Sequence, residues 1–298
     1  METWLVARPD SGCGRAGRVL SDVALFLERC RVPVAVRVAA SPGEVRAGVG
    51  EAVAAGASRV LVVGGDGTLR EAATALRRTG VVLGIIPAGT GNGSVYSLGL
   101  PLDPLQAAAV ALSAEPTPVD VGVVGETAFL NVAGAGLDAW VLEAQRRSKF
   151  TGAIPSYLEA ALTAFPTYRP QPLHVTVDGI PIEGATLAAL ANGPFYGAGV
   201  PVMPSARTDD GLLDVCVLGE LSLVQLFQVA ALLFQGRLPE AAQARLARGK
   251  QISISSPAPA AVQLDGDICL ETPCEFTVDR HALLVAGARQ QAARTVRH

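Results

Sequence analysis

An α/β unit followed by a β-rich unit is the fold class this sequence predicts, and three observations carry it. Over the first 117 residues short apolar runs alternate with amphipathic stretches, the pattern of a parallel sheet with crossover helices. Beyond Glu115-Pro116-Thr117-Pro118 the runs shorten and crowd together between turn residues, as in a β-sandwich. At 298 residues and 50% hydrophobic composition, the chain has enough apolar surface for two packed units. The expected division is 1–117 and 118–298, with the last strand or tail free to pack back on the first unit.

Trp4 to Ala7 reads as the first strand, followed by the loop Arg8-Pro9-Asp10-Ser11-Gly12-Cys13-Gly14 and a helix from Ala16 to Cys30. Val34 to Val38 is the second strand. Ser41-Pro42-Gly43-Glu44 has the form of a capping box with proline at the first helical position, so a helix starts there. Arg59 to Val63 is a buried strand, Leu69 to Arg78 a helix, and Val81 to Ile86 another strand. Asp103-Pro104 caps a helix to Ser113. In the second unit, strands are expected at 119–124, 128–132, 173–177, 186–191, 213–218, 251–255, 261–264, 275–278 and 282–285. Helices are expected at 136–147, 155–165 and 222–235. The last of these is apolar on most of its circumference, which suits a core helix or a lipid-contacting one. Ala286 to His298 reads as a polar, frayed tail.

A formal net charge of -3 argues against a protein whose task is to neutralise nucleic-acid phosphates. Cations are almost all arginine, since Lys149 and Lys250 are the two lysines. Cys13, Cys30, Cys216, Cys269 and Cys274 are odd in number and lack Cys-x-x-Cys spacing, which fits reduced structural thiols. With only His174, His281 and His298 beside them, neither zinc binding nor Cys/His catalysis is expected. METWLVARPDSG does not read as a signal peptide, and no run is long enough to span a bilayer, so a cytoplasmic protein is expected.

The chemistry concentrates in two loops. Val60 to Leu69 is a strand, then Gly64-Gly65-Asp66-Gly67-Thr68, then a helix. Glycines there let backbone N–H groups approach phosphate oxygens, and the helix amino terminus adds positive potential. It is neither a Walker A loop nor a dinucleotide Gly-x-Gly-x-x-Gly turn. Asp66, between glycines, needs a partner such as a metal or a ligand hydroxyl. Gly84-Ile85-Ile86-Pro87-Ala88-Gly89-Thr90-Gly91-Asn92 ends the next strand, on the sheet edge where open α/β folds bind ligands.

Gly64 to Leu69, Ile86 to Asn92, Pro204 through Asp210-Gly211-Leu212-Leu213-Asp214, and Asp265-Gly266-Asp267 together resemble, in order, the signatures of the diacylglycerol/sphingosine kinase family of bacterial lipid kinases, over nearly the whole chain. The resemblance implies a NAD kinase/diacylglycerol kinase-like α/β domain for ATP, a β-sandwich for lipid, and an active site in the cleft between them. Its activity would be Mg2+-dependent transfer of the ATP γ-phosphoryl group to a diacylglycerol-, sphingosine- or phosphatidylglycerol-like acceptor. By the same resemblance Gly64, Gly65, Asp66, Gly67 and Thr68 bind nucleotide phosphates, with Ser11, Gly12, Ser41, Glu71, Thr90 and Asn92. Asp120 corresponds to a carboxylate that holds catalytic magnesium through water. Asp267 falls where the family has a glutamate acting as base, with Asp265 and Asp66 as the other candidates. Asp210, with the carbonyls of Arg207 and Leu212, matches a structural magnesium site. For Asp120 a turn or strand-start role, and for Asp210 a tight turn, stand as alternatives.

Three departures stand out: Arg8 occupies a position where asparagine usually precedes the proline, Gly91-Asn92-Gly93-Ser94-Val95 replaces the family's usual Asn-Asp-Phe-Ala continuation, and Asp267 is one methylene shorter than the family residue. The implied partner is a lipid met at the membrane surface, with a homodimer left open. The competing readings are a NAD kinase-related phosphotransferase and a catalytically weak nucleotide-binding regulatory protein.

Overall fold

The computed structural model describes residues 2–12, 14–146, 159 and 169–289. The first half is built from β1 (Thr3–Ala7), α1 (Arg15–Arg29), β2 (Val34–Val38), α2 (Pro42–Ala54), β3 (Arg59–Gly64), α3 (Asp66–Leu76), β4 (Val82–Pro87), α4 (Gly93–Ser97) and α5 (Pro104–Ser113). The strands pair in parallel in the order β2-β1-β3-β4. Alternation along each strand sends Leu5, Ala7, Leu61, Val63 and Ile86 to one face, against α1 and α5. Val6, Val60, Val62, Leu83 and Ile85 go to the other, against α2 and α3. Ser41 caps α2 by accepting from Glu44 N–H at 3.3 Å, and Asp103 caps α5 by accepting from Leu105 and Gln106 N–H at 3.1 and 2.9 Å.

The chain then gives β5 (Pro116–Val124), β6 (Thr127–Phe129), β7 (Val132–Gly136), α6 (Leu137–Arg146), β8 (Leu173–Val177), β9 (Ile180–Ala185), β10 (Leu187–Ala191), β11 (Leu213–Leu218), α7 (Leu223–Phe234), β12 (Ala244–Gly249), β13 (Gln251–Ser255), β14 (Ala261–Leu264), β15 (Asp267–Glu271) and β16 (Cys274–Ala286). A six-stranded sheet, β12-β11-β10-β7-β14-β15, faces β13, β8 and β9 across a core with Leu190, Val215 and Ile252. Phe129 and Phe276 meet there edge-to-face, ring centroids 6.3 Å apart.

The helix expected to begin at Leu69 begins at Asp66, so Asp66, Gly67 and Thr68 form its first turn rather than a loop. The strand expected at 128–132 is two strands in different sheets, because Asp265 takes the N–H groups of Leu130, Asn131 and Val132 where the chain crosses over. The runs 275–278 and 282–285 join into β16, with an irregularity between Asp279 and Leu283. Its first part pairs with β13; Leu284 and Val285 add it in parallel to β4. Four short elements, α4, β9, β12 and β15, were not expected. The helix expected at 155–165 and the end of the tail lie outside the described residues, Glu159 and 286–289 apart. Among the described residues no helix is long and apolar enough to cross a membrane. On α7, Leu226 and Val229 are buried, while Val224 is 67% exposed, so the helix is neither wholly core nor wholly surface.

Candidate active site

The loops after β1, β3 and β4 converge at the carboxyl edge of the parallel sheet. Ser11 Oγ and Thr68 Oγ1 lie 2.9 Å apart, joining the first loop to α3. Gly12, at φ 61°, sits so close to Ala88 that a side chain would run into its carbonyl oxygen. A Cβ on Gly89 would fall 2.6 Å from Gly65 Cα, so the β3 and β4 loops touch only because both residues are glycine. Asn92 closes its own loop, accepting from Gly89 N–H at 3.0 Å and donating to Gly89 O at 2.9 Å.

Asp66 finds its partners within the chain: Gly93 N–H, Ser94 N–H and Ser94 Oγ donate to its carboxylate, each at 3.0 Å. Neither a metal nor a ligand hydroxyl is needed to satisfy it, because α4 turns its amino end onto the carboxylate. Burial raises its pKa against the pull of these donors.

The facing wall comes from the second half. Asp265, at φ 49°, accepts from Leu130, Asn131 and Val132 N–H at 2.8, 2.8 and 3.1 Å, which holds the turn carrying Gly266 and Asp267. Burial pushes its carboxyl up to about 7 against the Leu130 hydrogen bond, with Asp66 nearby adding to the rise. Gln263 accepts from Gly266 N–H and donates to Asp138, each at 2.9 Å, and Asp138 also accepts from Tyr196 Oη at 2.7 Å. Asp267, its side chain 43% exposed, reaches back across the gap. Its Oδ2 lies 3.2 Å from Arg70 Nη1 and so close to Gly67 that a Cβ there would displace the carboxylate.

The two walls enclose a cleft of about 740 Å³. Of the residues expected in the site, Ser11, Gly12, Gly65, Asp66, Gly67, Thr68, Thr90 and Asp267 line it. Gly64, Ser41, Glu71, Asn92 and Asp120 are not among its lining residues. Gly64 ends β3 under Thr68, and Ser41 is occupied as a helix cap. Glu71 is buried between Arg46 Nε at 2.9 Å and Arg70 Nη2 at 3.6 Å. Asp120 is fully buried, accepting from Gly211 N–H at 2.6 Å and His281 N–H at 2.7 Å, and thereby ties the 208–211 turn to the irregularity in β16.

The turn of Arg207, Asp210 and Leu212 lies beside Asp120 rather than in the cleft. Asp210 accepts from Leu212 N–H at 3.1 Å and pairs with Arg248, so a guanidinium balances its charge. Arg207 pairs with Asp209. Among the described residues no group of three or more His, Cys, Asp and Glu is placed to hold a metal unaided.

The cleft also contains Arg8, Arg15, Asn131, Asp138, Tyr196 and Gln263, for which the sequence carried weaker signals. Asn131 and Gln263 interrupt apolar runs, and a polar side chain in a buried run needs a partner.

Residues 2–124 match the Diacylglycerol kinase catalytic domain family, and residues 131–287 the YegS C-terminal NAD kinase beta sandwich-like domain family. A diacylglycerol kinase of Mycobacterium tuberculosis is 30% identical over 292 residues, covering 95% of this chain and 94% of the relative. The chain belongs to the diacylglycerol kinase family of lipid kinases. Within it, a "Probable lipid kinase YegS-like" of Pseudomonas putida is 37% identical, over 61% of this chain and 63% of that one. The crystal structure of a diacylglycerol kinase from Bacillus anthracis superposes with a TM-score of 0.77 at 26% identity, covering 96% of each chain. The family's two-part architecture, an α/β catalytic domain with a β-sandwich-like domain, is the one found here.

Proposed function

We propose that this chain is an ATP-dependent lipid kinase that transfers the γ-phosphoryl group to the hydroxyl of a diacylglycerol. The observation carrying this reading is the apposition of Asp267 to Gly67: a carboxylate from the β-rich half meets the first turn of α3, where N–H groups collect. The nucleotide phosphates would lie along the first-turn N–H groups of α3 and the glycine loops of Gly12 and Gly89. Asp267 would take the proton of the acceptor hydroxyl as its oxygen bonds to the γ-phosphorus and the bond from that phosphorus to the β–γ bridging oxygen breaks, releasing ADP. Although one methylene shorter than glutamate, Asp267, the first residue of β15, has its carboxylate against Gly67 of α3.

Asp66 would act as a positioning residue, joining the α3 turn to α4, and Asp265 would hold the Asp267 turn. Magnesium needs one or two carboxylates beside substrate phosphates, and Asp267, partly exposed in the cleft, would supply one, with Asp66 behind it. When bound with the nucleotide the ion would offset phosphate charge. Acceptor chemistry is taken from the Mycobacterium relative's name, and contact with a lipid surface is supported by the exposed apolar side chains of Leu223, Val224 and Phe227 on α7.

The test is transfer of label from γ-labelled ATP in mixed micelles of diacylglycerol, with sphingoid base, phosphatidylglycerol and NAD in parallel. Label in phosphatidic acid is expected. Label in another lipid would revise the acceptor, and formation of NADP alone would replace the reading with a NAD kinase one.

A further inference from the structure

The cleft is lined by five carboxylates, of Asp10, Asp66, Asp138, Asp265 and Asp267, and by two cationic side chains, Arg8 and Arg15. A polyphosphate entering it needs cations, and no lysine follows the glycine loop. Arg15 is exposed at the rim, whereas Arg8 is fixed deeper. It directly follows β1; its N–H reaches Val63 O at 3.4 Å and its carbonyl accepts from Ser11 N–H at 3.1 Å, so its backbone spans the ends of β1 and β3.

The Nε of Arg8 is buried and has no hydrogen-bond partner among the described residues. Arg37 and Arg70 have unpartnered Nε atoms too, but both guanidiniums form ion pairs, with Glu51 and with Asp267. Arg8 forms none among the described residues, and it alone of the three lines the cleft. A desolvated guanidinium donor without an acceptor is costly unless a ligand supplies one, and its planar fork matches phosphate oxygens.

We infer that Arg8 is a phosphate-binding residue of the nucleotide site, gripping the phosphate chain beyond the α-phosphate and doing the work a loop lysine does elsewhere. This rests on the nucleotide reading above. The inference concerns binding, so it is read at equilibrium without turnover, by displacement of mant-ADP from the full chain with ADP, AMP and tripolyphosphate. Arg8→Ala is expected to weaken ADP and tripolyphosphate about tenfold or more while AMP changes less than twofold. Arg8→Lys, which keeps the charge and loses the fork, is expected between the two. If the wild type fails to bind mant-ADP, the nucleotide reading itself fails. If it binds and Arg8→Ala matches it, or if ADP and AMP weaken equally in both folded variants, the assignment of Arg8 is overturned.

Discussion

The two walls of the cleft are built on opposite plans. On the α/β side, three glycine turns press together and the amino end of α3 offers N–H donors beside Arg8 and Arg15. Asp66, its buried carboxylate at the cleft, is engaged by Gly93 and Ser94. On the β side the same device is inverted: Asp265 gathers three N–H groups so that the turn can carry Asp267 outward, with Asp138 and Gln263 behind it. One wall presents N–H donors and guanidiniums, the other carboxylates. On the proposed reading, that contrast is what a phosphoryl transfer to a hydroxyl requires.

The comparison breaks most sharply at Asp267. Asp267→Asn is expected to lower kcat by about 100-fold or more with mant-ADP binding unchanged, since a general base contributes ~10²–10⁴; an equal loss of binding would erase the distinction between the walls. Next, Asp66→Ala leaves three donors unpaired, and should cost about 2–3 kcal/mol of stability in urea titrations together with most of the activity.

Gly12→Ala adds a Cβ against a backbone carbonyl at positive φ. A loss of about 2 kcal/mol is expected, read as a lower denaturation midpoint. Asp265 provides a pH test. Its carboxyl titrates near 7 when folded and near 3.8 otherwise, so the stability favoured by protonation is complete below about pH 3.8 and lost as pH rises to 7. The stability of the wild type relative to Asp265→Asn should fall over that window by at most about 1.4 kcal/mol per pH unit. The smallest effect is expected for Gly67→Ala, where the Cβ meets only the movable end of Asp267. Stability should change by less than about 1 kcal/mol while activity drops several-fold.

Much of the donor wall was legible because its signals are local. Ser41-Pro42 and Asp103-Pro104 cap helices where they stand, and Gly64 to Thr68 follows a buried strand directly. What escaped depends on pairing across distance. Nothing near Asp120 announces that it will accept from His281, 161 positions away, and nothing near Glu71 that Arg46, 25 positions away, will pair with it. The edge strand β12, with an irregular burial pattern, lacks the alternation by which strands are found. Asp265 and Asp267 were both visible as acidic residues, but which points to the cleft and which is tethered follows only from the crossover at Leu130 to Val132.

The position of β16 bears on how the protein is made. The parallel sheet of the first half has β4 at its border until Leu284 and Val285 pair with Val82 and Leu83. During synthesis from the amino terminus that border stays open until Leu284 and Val285 have left the ribosome, and sealing it closes a contact of about 200 residues, the kind of long-range pairing that folds slowly. A chain stopped before Cys274 would thus carry every glycine loop of the donor wall and still present an unpaired apolar strand edge, which makes truncated products the forms most exposed to aggregation.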